Sequence, residues 1–263
     1  MSQIALSASD MALAASLVVF DAAVSIAFGL RLHRPLLVAS LRMVLQLLLV
    51  GLVLRIVFRS DAPALTLAIA CLMIAAAARE VATRPTQRLA GWGNYRIAGA
   101  VVALSSLATV VLALMTAIRP TPWHDPRYAI PLMGIVLGSV LNSASLALDA
   151  FLGGVVVSRN QIEARLALGA SLRTALAPLM RDAVRKGLIP VINQMSAAGI
   201  ITLPGIMTGQ LLAGMDPLGA VEYQILLLFL LAGSSGLAAG GVVWLASRAL
   251  GDDRDRLRLD LLA

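Results

Sequence analysis

The 263-residue chain has one cysteine, Cys71, and one lysine, Lys186, and its two histidines, His33 and His124, stand far apart. A lone cysteine excludes a disulfide framework. Separated histidines leave no tight cluster of imidazole and thiolate ligands for a transition metal. The phosphate loop GxxxxGK[ST] is missing, because Lys186 precedes a single glycine, so the chain shows no phosphate-binding loop of its own. Neither HExxH nor a Ser/His pair within the apolar runs occurs, which argues against an intramembrane enzyme. Charged residues make up only 13% of the chain, too few to give a soluble domain of this length its polar shell.

What fills the chain is apolar: 59% of residues are hydrophobic and the mean hydropathy is +0.89. Runs of about 20 residues recur, the length a helix needs to cross roughly 30 Å of hydrocarbon. The ten-residue alternation of a membrane barrel is absent, so the chain reads as all-α and polytopic. About seven spans are predicted: Met11 to Leu30, Leu36 to Phe58, Pro63 to Ala78, Ile97 to Ile118, Ile130 to Val157, Gly187 to about Leu212, and Tyr223 to Leu250. The third is short. Ser2 to Asp10 has no positive n-region, so the first run reads as a retained helix rather than a signal peptide.

Arginine placement orients these spans. With seven of them, the groups around Arg31, Arg84, Arg173 and Arg254 fall on one side, and only Arg55, Arg59, Arg119 and Arg127 on the other. The positive-inside rule then puts the N-terminus outside and the C-terminus in the cytoplasm, as in a multi-pass protein of the inner (plasma) membrane. The net charge of +7 is on this reading a topology signal and not a nucleic-acid footprint. The whole chain, 1–263, reads as one transmembrane domain with a cytoplasmic loop at 158–187.

Ionisable groups within spans cost about 2.5 to 3.5 kcal/mol on insertion scales and call for a partner or a task. Asp21 and Arg42 lie almost symmetrically about the turn at Arg31 to Pro35, so a hairpin would bring them to similar depth as a structural ion pair. On the fifth span, Gly134, Gly138, Asn142, Ser145 and Asp149 form one polar, small-residue stripe at about 100° per residue. That stripe is either a packing seam or a cavity lining. The last span has a GxxxG of its own, Gly236 and Gly240, read as packing. In "GIITLPGIMTGQLLAGMDP" (199–217), Pro204 and the glycines break an apolar helix, and backbone groups from Leu203 to Thr208 then need other partners. Broken helices occur where they are buried or line a cavity. Pro204, Met207, Thr208 and Gln210, with Asn142, Asp149, Asn193 and Met195, are therefore the candidate pathway residues, offering weak oxygen and thioether ligands. No defined metal site follows from them.

The loop "SRNQIEARLALGASLRTALAPLMRDAVRKG" reads as two short helices meeting at the small-residue corner Gly169, Ala170, Ser171, a knob suited to docking. "EARLALGAS" is similar to the start of the EAA loop of ABC-transporter permeases, with Glu163, Ala164 and Gly169 at the expected spacing and Arg165 in place of a second alanine. Together with "LIPVINQMSAAGIITLPGIMTGQLLAGMDPLGAVEYQI" (188–225), the chain closely resembles the FetB-type permeases, associated with iron export and, in plant relatives, with aluminium tolerance. It departs from that pattern at Gly138 and Ser139, where Gly-Asn is expected.

The resemblance implies a permease with no cofactor of its own, working with a separate ABC ATPase that carries ATP and Mg. Glu163, Ala164, Leu168, Gly169, Ala170 and Ser171 would dock on that ATPase, and a homodimer would form the membrane part. The implied cargo is iron or another metal ion; a non-metal solute or a metal chelate fits the residues no worse. A secondary transporter driven by ion gradients is the remaining alternative, against which the docking loop and the lack of inverted repeats count.

Overall fold

The computed structural model describes residues 7–58, 63–252, 254 and 256–262, and among them the chain is all-α, with isolated bridges but no strand. It divides at Asp61 into two compact units. The first is a hairpin of α1 (Ala8–Ala27) and α2 (His33–Val57). A capping box starts α1: the Asp10 N–H donates to Ser7 Oγ, and the Ser7 N–H donates to Asp10 Oδ2. Leu13, Leu17 and Phe20 on α1 and Leu41, Leu45, Leu48 and Leu52 on α2 are all exposed, as lipid-facing helices require. Asp21 lies six residues before the end of α1 and Arg42 nine after the start of α2. At about 1.5 Å per residue the offset in depth is about 4.5 Å, within an arginine's reach.

The second unit contains α3 (Pro63–Thr83), α4 (Gly93–Ala113) with a π-helical extension Leu114–Ile118, α5 (Pro126–Val157), α6 (Arg159–Ala167), α7 (Leu172–Ala197), α8 (Gly205–Leu212) and α9 (Pro217–Ala249). The central helix is α5, packed against α3, α4, α7 and α9, with Val136, Val140, Leu148, Phe151 and Leu152 wholly buried. Both α5 and α9 begin with an aspartate cap followed by proline. Asp125 Oδ1 accepts from the Arg127 N–H, and Asp216 Oδ2 from the N–H groups of Leu218 and Gly219. Helix α7 crosses the bundle at Gly187, where a Cβ would stand 2.7 Å from the Ser143 carbonyl oxygen and 2.8 Å from Ala147 Cβ. Only glycine lets the two backbones approach this closely.

Among the described residues six helices are long and apolar enough to cross a membrane: Ser9–Ala27, His33–Val57, Pro63–Thr83, Gly93–Ile118, Pro126–Val157 and Pro217–Ala249. This is a multi-pass membrane protein. The third span is not short, because α3 continues to Thr83. Where the apolar pattern predicts a sixth span from Gly187 to about Leu212, the structure has one 26-residue helix, α7, that begins at Leu172 and ends at Ala197. The second run of the polar loop and the first half of that span are thus a single helix. Arg173, Arg181, Arg185 and Lys186 on its first half hid the continuity from a hydropathy reading.

At one end of the second unit the α3–α4 connection meets the segment that follows α9. The Ala90 N–H donates to the Leu261 carbonyl at 2.6 Å, and Leu89 bridges Leu262. Asn94, buried, ties the same connection down by donating to the Ala82 carbonyl and accepting from the Leu89 N–H. The start of α7 lies here too, with Leu172 against Gly251. Arg84, Arg88, Arg159, Arg165, Arg173, Arg248, Arg256 and Arg258 gather at this end, while Arg119 and Arg127 lie at the other.

Candidate functional site

Two features at opposite halves of α7 make up the site. The first is the knob formed by α6 and its corner. Ile162, 2% exposed, anchors α6 in the core, and Arg165 Nη1 donates to the Ala175 carbonyl at 3.3 Å, lashing α6 to α7. Glu163 pairs with Arg159 at 2.8 Å on the outer face, beside the exposed Ala164. Gly169 has φ +88, a left-handed conformation that glycine adopts without cost. Ser171 then caps α7, its Oγ accepting from the Thr174 N–H at 3.3 Å. With Ala170 half-buried behind it, Leu168 projects from the tip, 88% exposed.

The second feature is a polar crevice of roughly 190 Å³ between α5, α7 and α9, lined by Ser139, Asn142, Ser143, Pro190, Gln194 and neighbouring apolar side chains. Ser139 and Ser235 share a hydrogen bond of 2.8 Å across α5 and α9. Pro190 removes a backbone N–H from α7 at this level. The groups facing the crevice are amides and hydroxyls, neutral oxygen donors able to replace part of a hydration shell without fixing one ion tightly.

A family model described as "Uncharacterised protein family (UPF0014)" matches residues 8–250. The chain belongs to this family. The "UPF0014 membrane protein slr1647" of Synechocystis is 42% identical over 206 residues, covering 77% of this chain and 78% of that protein. The "Probable iron export permease protein FetB" of Escherichia coli is 32% identical over 248 residues, covering 94% and 93%. "Protein ALUMINUM SENSITIVE 3" of Arabidopsis thaliana is 28% identical over 228 residues, covering 86% and 81%. No solved structure matches the chain.

In this UPF0014 chain the other predicted pathway residues are dispersed. Asn142 reaches the crevice, but Asp149, two turns further along α5, accepts the Thr86 N–H at 2.8 Å and so holds the α3–α4 connection. Asn193 and Met195 are exposed on α7, while their neighbour Gln194 is the one that lines the crevice. The 3.6-residue period contains that signal: Gly187, Val191 and Gln194 share the face that meets α5, and Asn193 is turned about 120° away. Ser139, Ser143 and Ser235 were missed as lining groups because single serines in a long apolar run barely lower its hydropathy.

The break at Pro204 is a non-helical turn over residues 198–204 rather than a kink within one helix. Gly199 N–H donates to the Thr202 carbonyl, Thr202 N–H to the Ala197 carbonyl, and both the N–H and Oγ1 of Thr208 to the Pro204 carbonyl. Of the backbone groups from Leu203 to Thr208, the Pro204 carbonyl and the Thr208 N–H are thus bonded locally, with Pro204 as the N-cap of α8. Met207 and Thr208 are half-buried, and Ile206 packs on the core. Gln210 Oε1 on α8 and Gln224 Oε1 on α9 are buried and lack a hydrogen-bond partner. Among the described residues no three His, Cys, Asp or Glu side chains gather as a metal-binding group.

Proposed function

We propose that the chain is the permease subunit of an ABC transporter, exporting iron or another metal ion. On this reading it is not itself an enzyme: a separate ATPase subunit binds ATP and Mg, and two copies of the chain form the membrane part. The seven-span topology of the sequence reading belongs to the proposal, with α7 as the additional crossing and the arginine-rich end in the cytoplasm. The observation that carries it is the continuity of α7. The knob of Glu163 to Ser171 is lashed to the first turns of this helix, and its other half lines the crevice at Pro190 and Gln194. A helix of 26 residues is about 39 Å long, so one backbone joins the knob to the crevice, with Pro178 and Pro190 as the points at which it bends most easily. A partner that grips Leu168 differently in two states would therefore change the crevice wall, the differential contact that coupling requires. Similarity to FetB, a probable iron export permease, supports the direction and cargo.

Leu168→Asp removes the apolar tip from a fully solvated position, and Gly169→Trp imposes bulk and strain on the corner. Both variants should insert normally but lose co-purification with the ATPase and stimulated ATP hydrolysis together, by at least about tenfold, the scale of one lost interface anchor. Normal coupling in both would remove the knob from the mechanism. A second reading, export of a metal chelate or a non-metal solute, is favoured by the amide and hydroxyl lining of the crevice, which holds no carboxylate. Vesicles loaded with free iron, with chelated iron and with chelator alone separate the readings by which content leaves on ATP addition.

A further inference from the structure

Leu237, Gly240, Gly241, Trp244 and Arg248 recur at helical spacing on α9 and share one face. The first four, with Val101, Leu104 and Ala108 of α4, line an apolar groove of about 630 Å³. Gly236 and Gly240 have nothing within 4 Å of where a Cβ would be. The GxxxG predicted as a packing seam is thus open backbone along the groove floor. Trp244 also borders a second hollow, of about 340 Å³, between α9 and the start of α7, where Arg173, Ser247, Arg248 and Asp252 supply the polar groups. A tryptophan thus joins an apolar trough to a basic hollow, the arrangement found where a side chain sits at the membrane–water interface.

The charges of the hollow are unequal. Arg248 stacks on the Trp244 ring with its guanidinium carbon 4.5 Å from the centroid, Arg173 is exposed on the α7 side, and neither is in an ion pair among the described residues. Among the described residues the acid that lines the hollow is Asp252, and it is already occupied: Arg256 Nε donates to it at 2.8 Å, and the backbone N–H groups of Arg256 and Arg254 donate to it as well. We propose that this joined surface binds one anionic phospholipid, its phosphate between Arg173 and Arg248 and an acyl chain in the groove over Gly236 and Gly240. A second helix seated on those glycines would fill the groove but give the two arginines no counter-charge; a phospholipid satisfies both halves. The inference needs α9 to cross the membrane and does not depend on the transport reading.

The test uses the full chain with Trp92→Phe and Trp123→Phe, so that Trp244 is the only indole, reconstituted with brominated-acyl phosphatidylglycerol or phosphatidylcholine. Quenching by phosphatidylglycerol should reach half its maximum at about a tenfold lower mole fraction, as two basic side chains near the headgroup imply. Arg173→Gln with Arg248→Gln should abolish that preference while quenching by phosphatidylcholine and the helical content stay unchanged. Equal quenching by both lipids in the parent chain overturns the proposal, as does a preference that survives the double substitution. If inorganic phosphate at millimolar concentration abolishes the preference, the hollow is a free-phosphate site; if neither lipid quenches Trp244, a protein surface such as a second copy covers it. Either result also overturns the lipid assignment.

Discussion

Asn142 and Asp149 show how two residues on one stripe acquire different tasks. Asn142 opens on the crevice, so Asn142→Leu should leave yield intact and reduce transport, because a group proposed to replace substrate hydration is gone. Asp149 accepts an exposed backbone N–H from Thr86, and Asp149→Leu would hand that donor to water at a cost of about 0.5–1.5 kcal/mol. It should therefore lower folded yield before it affects transport per molecule, whereas Asp149→Asn keeps an acceptor and should retain most of the yield. Yield and transport per folded molecule, measured side by side, check both; normal transport by Asn142→Leu would return the crevice to a packing role. Gly187 is a purely steric case. With a carbonyl oxygen and a methyl group already within 3 Å of its absent Cβ, Gly187→Val should cost about 1–3 kcal/mol by overpacking. A thermal melt in detergent indistinguishable from the parent would show that α7 can move off α5 without penalty.

Elements were legible in the sequence to the extent that apolar length alone defines them. Helices α1 to α5 and α9 follow from runs long enough to cross hydrocarbon, because in lipid an extended apolar run can satisfy its backbone only as a helix. Helix α7 was not legible as one piece, since its charged first half and apolar second half give opposite hydropathy signals on a continuous backbone. The break after Ala197 was recognised but not its extent or its start seven residues before α8, because Pro204 and the glycines announce a discontinuity without specifying where the chain goes next. The crevice needed three helices in register, and only Asn142 signalled it. Within the α1–α2 hairpin, the depth match of Asp21 and Arg42 supports the proposed pair. Asp21→Asn or Arg42→Gln should each lower folded yield, and the exchange Asp21→Arg with Arg42→Asp should recover much of it. An exchange no better than the single changes would refute the pairing.

Over the whole molecule, the second unit separates its charges by end, with the α3–α4 connection, the knob and residues 256–262 at the arginine-rich side. Placed in a bilayer, that polarity sets the orientation. In a Cys71→Ala background, Thr121→Cys should react with an impermeant maleimide in intact cells and Arg84→Cys should react only after permeabilisation. Equal labelling of both would remove the seven-span topology and with it the cytoplasmic placement of the knob.

The hydrogen bond from Ala90 to the Leu261 carbonyl also sets an order of events during biosynthesis. The two residues are about 170 positions apart, so at roughly 5–20 residues per second the connection 84–92 leaves the ribosome about 10–30 seconds before its partner segment exists. Asn94 arrives almost at once and Asp149 a few seconds later, so in the interval the connection is held by these side chains and its own local bonds. A ribosome stalled between Asp149 and Leu261 would therefore carry a nascent chain whose 84–92 segment is more open to protease than in the released protein.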